Sequence, residues 1–527
     1  AVHVIFGKPG LSGVLQLPFA QPVAADLTVK GPQETELGTA VTTADLNVDG
    51  ISDLVMGAPG VTRSGKFHVG AVYVVFGSSN LSGTIDLSAT AAGISVLGDI
   101  PATGSFGDSL GTSVDSGDIN GDSFPDLVMG GSFNDFAWIV YGGPSLTTTY
   151  DLDLVPADVR IGMFGGGAVK AGNLNGDAYD DIVMPQGIFF GSAALPPTIG
   201  ANSRNVSLTL PFGNFDPSLN VVVADVNGDN LDDLVVGDAL FSSFSGRAYI
   251  LFGLATWPAT VNLASAANVR LDGEEPDDKA GWSLAVGEVT GDGVTDIIVG
   301  APGASTAWGS HVGKTYVIRG GPALAGDLGL GTAASRTITG RSQTNFSGLG
   351  EAVAVGDFDA DGIGDLGIGA PSTVASFVVS GGSGAGDLEL AGSAADVTIK
   401  AGGSFPGEGL ATGDINGDAI DDVIIGAPYS DNSTGQVQVV YGSTSHPPGV
   451  SAVVGSAAHV IKGVTPGELF GTSVGAADLN ADGYDDIISG APLAAQAGQT
   501  HAGRVDVFFG GPGLNAFIDR ATTPASV

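Results

Sequence analysis

The chain has 527 residues, of which 43% are apolar and 86 are glycine, and it contains no cysteine. Its 56 acidic residues outnumber 18 lysines and arginines and give a formal charge of −38, so nucleic acid and anionic membranes are poor candidate partners. The lack of cysteine excludes disulfides and thiolate zinc sites. No apolar run approaches the roughly 18 residues of a membrane span, which predicts no membrane insertion.

The first predicted element is an alternating strand at residues 1–7, which ends in Phe6 and Gly7. A similar strand recurs near the other end of the chain, at residues 504–510. If the chain forms a ring of repeated β-sheets, or blades, N-terminal strands can pair with the last blade and close the ring. Alternatively, the chain is cut from a longer array of repeats, and the sequence leaves both possibilities open. Because the chain begins with Ala1 and not with Met, we expect a processed protein whose signal peptide has been removed.

The next element is a nine-residue loop, Asp45-Leu-Asn-Val-Asp-Gly-Ile-Ser-Asp53, which is the first of eight copies. Successive copies start 52 to 73 residues apart, which is the spacing of propeller repeats. Half of all the acidic residues lie in these windows. The eight loops are residues 45–53, 118–126, 173–181, 225–233, 288–296, 357–365, 414–422 and 478–486.

Each loop is followed by an apolar run, such as residues 422–426, and five copies then read Gly-Ala-Pro. Next come an alternating strand that ends in an aromatic residue and glycine, such as residues 71–77, and a fourth short strand, such as residues 83–87. Period-2 runs bounded by Gly, Pro, Asn and Ser are typical of strands and turns. We therefore predict an all-β fold, a single β-propeller over residues 1–527 with four-stranded antiparallel blades, eight blades being favoured over seven.

Oxygen ligands at loop positions 1, 3, 5 and 9, with the backbone carbonyl of position 7, suit calcium. An EF-hand is excluded because it needs a glutamate at position 12, where none of the eight copies has an acidic residue. The alternative is that these Asx-rich loops are turns without a metal. We predict up to eight structural Ca²⁺ ions, with weaker binding in the third and fifth loops, where Asn173, Glu288 and Thr290 replace the usual residues.

The predicted metal ligands are grouped by loop. They are Asp45, Asn47, Asp49, Ile51 and Asp53; Asp118, Asn120, Asp122, Phe124 and Asp126; Asn173, Asn175, Asp177, Tyr179 and Asp181; Asp225, Asn227, Asp229, Leu231 and Asp233; Glu288, Thr290, Asp292, Val294 and Asp296; Asp357, Asp359, Asp361, Ile363 and Asp365; Asp414, Asn416, Asp418, Ile420 and Asp422; Asp478, Asn480, Asp482, Tyr484 and Asp486.

The combination of Phe-Gly, an Asp-x-Asn-x-Asp-x-x-x-Asp loop and Gly-Ala-Pro resembles the FG-GAP repeat of integrin α propellers. The resemblance implies calcium in the loop between the first two strands of each blade, on one rim, and partners on the opposite face or the side. Integrins carry calcium patterns in only some blades, whereas all eight copies carry one here. The chain also lacks Arg-Gly-Asp, so an integrin-type partnership does not follow.

Three functional classes are compatible with the sequence. The favoured one is a secreted or cell-surface binding and adhesion module with a protein or glycan ligand, and self-association is a further expectation. The alternatives are a structural subunit of an extracellular layer or filament, and an extracellular hydrolase or lyase that acts on lipid or glycan.

No catalytic residue is assigned from the sequence. Features outside the loops are the acidic stretch at residues 272–278, the tryptophans, and three histidines that precede third strands, His68, His311 and His501. Core packing is expected for Trp138 and Trp282, because both lie in strand-like runs.

Overall fold

The computed structural model describes residues 25–519 apart from 90–91, 101–105, 133–135, 147, 155–156, 163–167, 185–186, 210–219, 308, 341–347, 372–374, 383–385, 391–396, 401–408, 445–449, 453–458, 496–500 and 513–516. The strand predicted at residues 1–7 lies outside the described residues.

The described strands form eight sheets, and each sheet has five strands. Within a sheet the first four strands pair antiparallel in the order of a propeller blade, and a fifth strand pairs parallel with the fourth. The first strands of neighbouring blades contact one another all the way round, from blade 1 to blade 8 and back to blade 1. The prediction of an all-β propeller with eight blades is confirmed.

Blades are numbered by their loops, and strands are given from the first to the fifth. Blade 1 consists of Val41–Ala44, Asp53–Ala58, Ala71–Val75, Ile94–Leu97 and Thr149–Asp151. Blade 2 consists of Ser113–Gly117, Asp126–Gly130, Phe136–Val140, Val159–Gly162 and Thr198–Ile199. Blade 3 consists of Lys170–Gly172, Asp181–Met184, Gly187–Phe189, Val206–Thr209 and Thr260–Asn262. Blade 4 consists of Val221–Ala224, Asp233–Asp238, Arg247–Leu251, Val269–Asp272 and Gly326–Gly329.

The second half of the ring has the same plan. Blade 5 consists of Ser283–Gly287, Asp296–Ala301, Lys314–Ile318, Arg336–Thr339 and Leu388–Glu389. Blade 6 consists of Val353–Gly356, Asp365–Ala370, Ala375–Val379, Val397–Lys400 and Val450–Ala452. Blade 7 consists of Gly409–Gly413, Asp422–Ala427, Gln436–Val440, His459–Lys462 and Phe517–Asp519. Blade 8 consists of Val474–Ala477, Asp486–Ala491, Arg504–Phe508, Leu27–Lys30 and Gly83–Asp86.

Helical structure among the described residues is confined to single turns in connections. These turns are Ala201–Ser203, Phe241–Phe244, Leu263–Ala266, Leu330–Ala333 and Ser430–Ser433. None of them is long and apolar enough to cross a membrane.

The fifth strand corrects the predicted four-stranded blade. Residues 83–87 were expected to be the fourth strand of blade 1, but Gly83–Asp86 lies at the outer edge of blade 8, parallel to Leu27–Lys30. The fourth strand of blade 1 is instead Ile94–Leu97. The chain that follows the third strand of each blade reaches outward and pairs with the preceding blade, which covers the edge that the fourth strand would otherwise expose.

The ring is closed by the N-terminal described strand. Leu27–Lys30 pairs antiparallel with Arg504–Phe508, with Leu27 opposite Val507, and so supplies the fourth strand of the last blade. The expected pairing of an N-terminal strand with the last blade is therefore observed.

The hydrophobic core lies between blades and not in one centre. One cluster joins Leu54 and Met56 of blade 1 to Ile488, Val505 and Val507 of blade 8. The glycine of the Gly-Ala-Pro motif permits this contact, because a Cβ atom on Gly57 would lie 1.9 Å from the carbonyl oxygen of Gly111 in the next blade. At the same position in blade 8, a Cβ atom on Gly490 would lie 2.3 Å from the carbonyl oxygen of Gly38 in blade 1.

Candidate calcium-binding rim

All eight predicted loops connect the first strand of a blade to the second. Since the first and second strands have the same order and direction in every blade, these loops share one rim of the ring. The last residue of each loop is also the first residue of the second strand, as Asp53 is in blade 1. The loop and the most buried strand of the blade are thus directly continuous.

The aspartate at position 9 is buried and anchors the loop. Asp53 is fully buried, and its two carboxylate oxygens accept hydrogen bonds from the backbone N–H of Leu46 at position 2 and of Gly77 after the third strand, both at 2.9 Å. The same pair of bonds is made by Asp126, Asp181, Asp233, Asp296, Asp365, Asp422 and Asp486. The glycine of the Phe-Gly pattern therefore serves as a donor to the loop of its own blade.

Positions 1, 3 and 5 are organised by backbone amides within the loop. In the second loop Asp118 accepts the N–H of Asp122 at 3.0 Å and of Ser123 at 2.8 Å, and Asn120 accepts the N–H of Asp122 at 2.9 Å. These bonds curl the backbone around the side-chain oxygens. The curled loop places several oxygen ligands close together without any sulfur or imidazole ligand.

The sixth loop shows most directly that the oxygens fit one cation. Ligand oxygens of Asp357, Asp359 and Asp361 all lie within 4.8 Å of one another. Two oxygens bound to the same calcium at 2.3–2.6 Å can be at most about 5 Å apart. The donor set and its spacing therefore fit Ca²⁺, which when bound would neutralise the carboxylates and cross-link the loop.

Burial raises the pKa of the position-9 carboxyl groups. The pKa rises to about 7 for Asp126, Asp181, Asp365, Asp422 and Asp486, and to about 6 for Asp53 and Asp233. Backbone N–H donors oppose this rise, while other loop carboxylates such as Asp122 add to it. A divalent cation favours the ionised form, so calcium binding and proton release are linked at these positions.

Asparagine at position 3 lies between two carboxylates in the third and fourth loops. The Asn227 amide nitrogen donates to Asp229 at 3.1 Å and to Asp233 at 3.2 Å. Asn175 makes the equivalent bonds to Asp177 at 2.9 Å and to Asp181 at 3.4 Å. A cation shared by these carboxylates would take the place of the amide nitrogen, and the amide would then present its oxygen.

Neighbouring loops are tied together by an aspartate at position 8. Asp180 of the third loop accepts the backbone N–H of Asp118, position 1 of the second loop, at 2.9 Å. The same bond joins Asp232 to Asn173, Asp421 to Asp357 and Asp485 to Asp414, at 2.9, 3.0 and 3.1 Å. The sequence analysis overlooked these residues, although aspartate at position 8 in four copies is a visible signal.

A second bond joins every neighbouring pair of loops. The residue after the Phe-Gly glycine donates its N–H to the position-2 carbonyl of the preceding loop, as Gly143 does to Leu46 at 2.7 Å. At the closure, Ser78 of blade 1 donates to Leu479 of blade 8 at 2.9 Å. The rim is therefore a continuous hydrogen-bonded circuit.

The features outside the loops are held in local structure. In the acidic stretch, Glu274 accepts hydrogen bonds from Lys314 at 2.7 Å and from Tyr316 at 2.6 Å. His68, His311 and His501 occupy the same turn, with φ of 51–53°, in three different blades. These histidines are thus a recurring turn residue and are not brought together as one site.

The tryptophans divide between core and surface. Trp138 is buried as predicted, and Trp257 donates its indole N–H to the Leu174 carbonyl at 3.1 Å. The prediction that Trp282 packs in the core is wrong, because this residue precedes the strand Ser283–Gly287, is 37% exposed and lies under the Lys279 ammonium. Trp308 lies outside the described residues.

The FG-GAP repeat matches residues 37–75, 280–318, 406–440 and 470–508. The chain therefore carries FG-GAP repeats. Its relatives include phosphatidylinositol-glycan-specific phospholipase D of Bos taurus, 26% identical over 64% of this chain and 43% of that protein, and its Rattus norvegicus counterpart, 25% identical over 69% and 45%. Integrin alpha-PS2 of Drosophila melanogaster is 32% identical over 44% of this chain and 17% of the integrin.

The FG-GAP chain spans less than half of the length of these relatives. Similarity to the phospholipases extends over more of the chain than similarity to the integrin.

Proposed function

We propose that this FG-GAP propeller holds structural calcium in its eight rim loops and works outside the cell as the recognition part of a hydrolase that acts on a glycan-bearing phospholipid. The observation that carries the calcium assignment is the buried position-9 aspartate, which occurs eight times beside the aspartate of position 5 and, in seven loops, beside a carboxylate at position 1. Turns without a metal do not need a carboxylate at each of these positions.

Calcium supports an extracellular location. Extracellular calcium modules bind with Kd on the order of 10⁻⁴ to 10⁻³ M, which is far above the free calcium of the cytosol. Clustering of so many carboxylates on one rim is unfavourable unless cations reduce their repulsion. A calcium-rich medium outside the cell supplies them.

The similarity to phosphatidylinositol-glycan-specific phospholipases supports the lipid assignment. A propeller whose eight loops are tied into a rigid circuit is suited to present a fixed surface to a large substrate. Adhesion, as in the integrin relatives, is the second candidate, supported by the 32% identity to integrin alpha-PS2.

The test uses the purified chain with calcium and vesicles of phosphatidylcholine that carry a glycosylphosphatidylinositol-anchored reporter protein. Control vesicles carry phosphatidylinositol without a glycan. Co-sedimentation with the reporter vesicles alone would support recognition of the glycan-bearing lipid, and release of the reporter would assign hydrolysis to the chain itself. Absence of both, together with calcium-dependent adhesion of cells to the immobilised chain, would favour the adhesion function instead.

A further inference from the structure

The aromatic residue of the Phe-Gly pattern is replaced in two adjacent blades. Six blades carry phenylalanine or tyrosine directly before the glycine, namely Phe76, Tyr141, Phe190, Phe252, Tyr441 and Phe509. Blade 5 has Arg319 at this position, and blade 6 has Ser380. Two large aromatic side chains are therefore missing from neighbouring positions on the loop side of the ring.

Blade 5 also departs from the other blades at the first residue of its fourth strand. The strand register places Arg336 there, opposite Val317. The same register position holds an aliphatic residue in six blades, namely Leu27, Ile94, Val159, Val206, Val269 and Val397, and His459 in blade 7. A cationic residue thus replaces an aliphatic one next to the missing aromatic residues.

A cavity of about 190 Å³ lies where these substitutions meet, between blades 5 and 6. Arg319 and Arg336 line it, together with Thr290, Ser335 and the backbone of Gly381 and Gly382. None of its nine lining residues is acidic, although acidic residues outnumber basic ones threefold in the chain. Its lining is therefore opposite in charge to the protein as a whole.

Both guanidinium groups are oriented by contacts at the wall. Arg336 donates to the backbone carbonyl of Ser380 at 2.7 Å. Arg319 Nε lies 3.4 Å from an Asp292 carboxylate oxygen in the fifth loop. A guanidinium has five N–H donors in a planar fork, so each group can bind an oxyanion while it keeps such a contact.

We propose that this cavity, the blade 5–6 pocket, binds a tetrahedral oxyanion carried as a sulfate or phosphate ester. A carboxylate offers two oxygens, which one guanidinium already satisfies, whereas a sulfate or phosphate ester offers three. A cavity of about 150 Å³ holds a molecule the size of benzene, and pockets for whole drug-sized ligands start at about 300 Å³. The pocket therefore accommodates the charged group of a larger ligand.

The test is isothermal titration calorimetry on the full chain at constant ionic strength, with glucose 6-sulfate, glucose 6-phosphate and neutral glucose as probes. Arg319→Phe and Arg336→Val restore the residues that other blades carry, so both variants are expected to fold. Arg270→Gln is the matched control, because Arg270 lies on the fourth strand of the neighbouring blade and pairs with Asp327 at its outer edge. The ester titrations are repeated in calcium and in EGTA, so that binding in the blade 5–6 pocket is distinguished from binding that depends on calcium in the fifth loop.

We expect saturable binding of at least one ester, no binding of glucose, and a loss of affinity of about tenfold or more in Arg319→Phe and in Arg336→Val but not in Arg270→Gln. Preference for the sulfate ester would indicate a sulfated glycan as the source, and preference for the phosphate ester a phosphorylated glycan or glycolipid. The proposal is overturned if neither ester binds, if glucose binds equally well, or if both pocket variants keep the wild-type affinity. A negative lipid-hydrolysis assay leaves it unaffected.

Discussion

Thr28 donates a hydrogen bond from its hydroxyl group to the Asp506 carboxylate at 2.8 Å, although 478 residues separate the two in the chain. The bond crosses the pair of strands that closes the ring. Asp506 also accepts a bond from Arg504 at 2.6 Å, and Arg504 pairs with Glu468 at 2.8 Å. These three charged residues are at most 4% exposed, so the closure is held by a buried polar network and not by apolar contact alone.

Replacement of Thr28 by valine should weaken the closure. It removes the donor but leaves the buried Asp506 oxygen in place, which costs about 1–3 kcal/mol in the free energy of unfolding. Urea unfolding in saturating calcium measures the loss. Thr84→Val is the matched control, because Thr84 lies opposite Thr28 on the exposed outer strand of the same blade. Equal effects of the two variants would contradict a special role of the buried bond.

Removal of calcium should lower the melting temperature markedly. At about 10 mM calcium, each site with a Kd of 10⁻⁴ to 10⁻³ M adds roughly 1.4–2.7 kcal/mol of stability. Native mass spectrometry should count six to eight bound ions, and Asp361→Ala in the sixth loop should lose one. Asp387→Ala, which lies outside the loops, should lose none. No bound ions and no thermal shift on addition of EGTA would mean that the loops are plain turns.

Stability without calcium should fall as the pH rises. The pKa of position-9 groups such as Asp126 is raised to about 7 in the folded chain, against 3.8 as the ordinary value. A raised pKa contributes stability below pH 4 that is lost as the pH passes through 7. Thermal unfolding in EGTA should thus show a higher melting temperature at pH 5 than at pH 8. Calcium should narrow or reverse this difference and release protons at pH 6, and a pH-independent melting temperature in EGTA would be inconsistent with buried loop carboxylates.

Asp180→Ala should disturb the loop of the preceding blade as well as its own. The change removes the acceptor for the Asp118 N–H, so position 1 of the second loop is no longer fixed by the third. Calcium titration followed by native mass spectrometry should show weaker binding of more than one ion. Asp180→Asn keeps an acceptor oxygen and should restore most of the affinity if positioning is the cause. Ser52→Ala, at the same position of the first loop, should have little effect.

The loops could be predicted because each repeat carries its own local pattern, and the number of blades followed from the number of copies. The aspartates at positions 5 and 9 and the alternating apolar residues are local patterns, and their eightfold recurrence predicts the architecture. The pairing partner of Gly83–Asp86 was not predictable in this way, because a short strand that pairs with another repeat has the same local pattern as one that pairs with its own. The wrong prediction for Trp282 has a related cause. The apolar pattern that suggests a strand extends to Trp282, but the strand itself begins one residue later, at Ser283.

The blade 5–6 pocket can be recognised only when the repeats are compared with one another, because a single repeat does not show what is unusual. Arg319 and Ser380 are ordinary residues by themselves and become informative only where six other blades carry an aromatic residue. Arg336 further requires the strand register, which aligns it with aliphatic residues elsewhere in the ring.

The outward-reaching fifth strand places the sequence repeat out of phase with the blade. Each of the first seven repeats gives four strands to its own blade, the last repeat gives three, and every repeat gives one outer strand to the blade before it. Duplication of a repeat therefore adds a blade together with the outer strand for its predecessor, and no compensating change is needed elsewhere. Removal of a single blade along the boundaries of its sheet instead leaves the neighbouring blade without an outer strand. The ring can therefore gain whole sequence repeats, but it cannot lose a blade along the sheet boundaries.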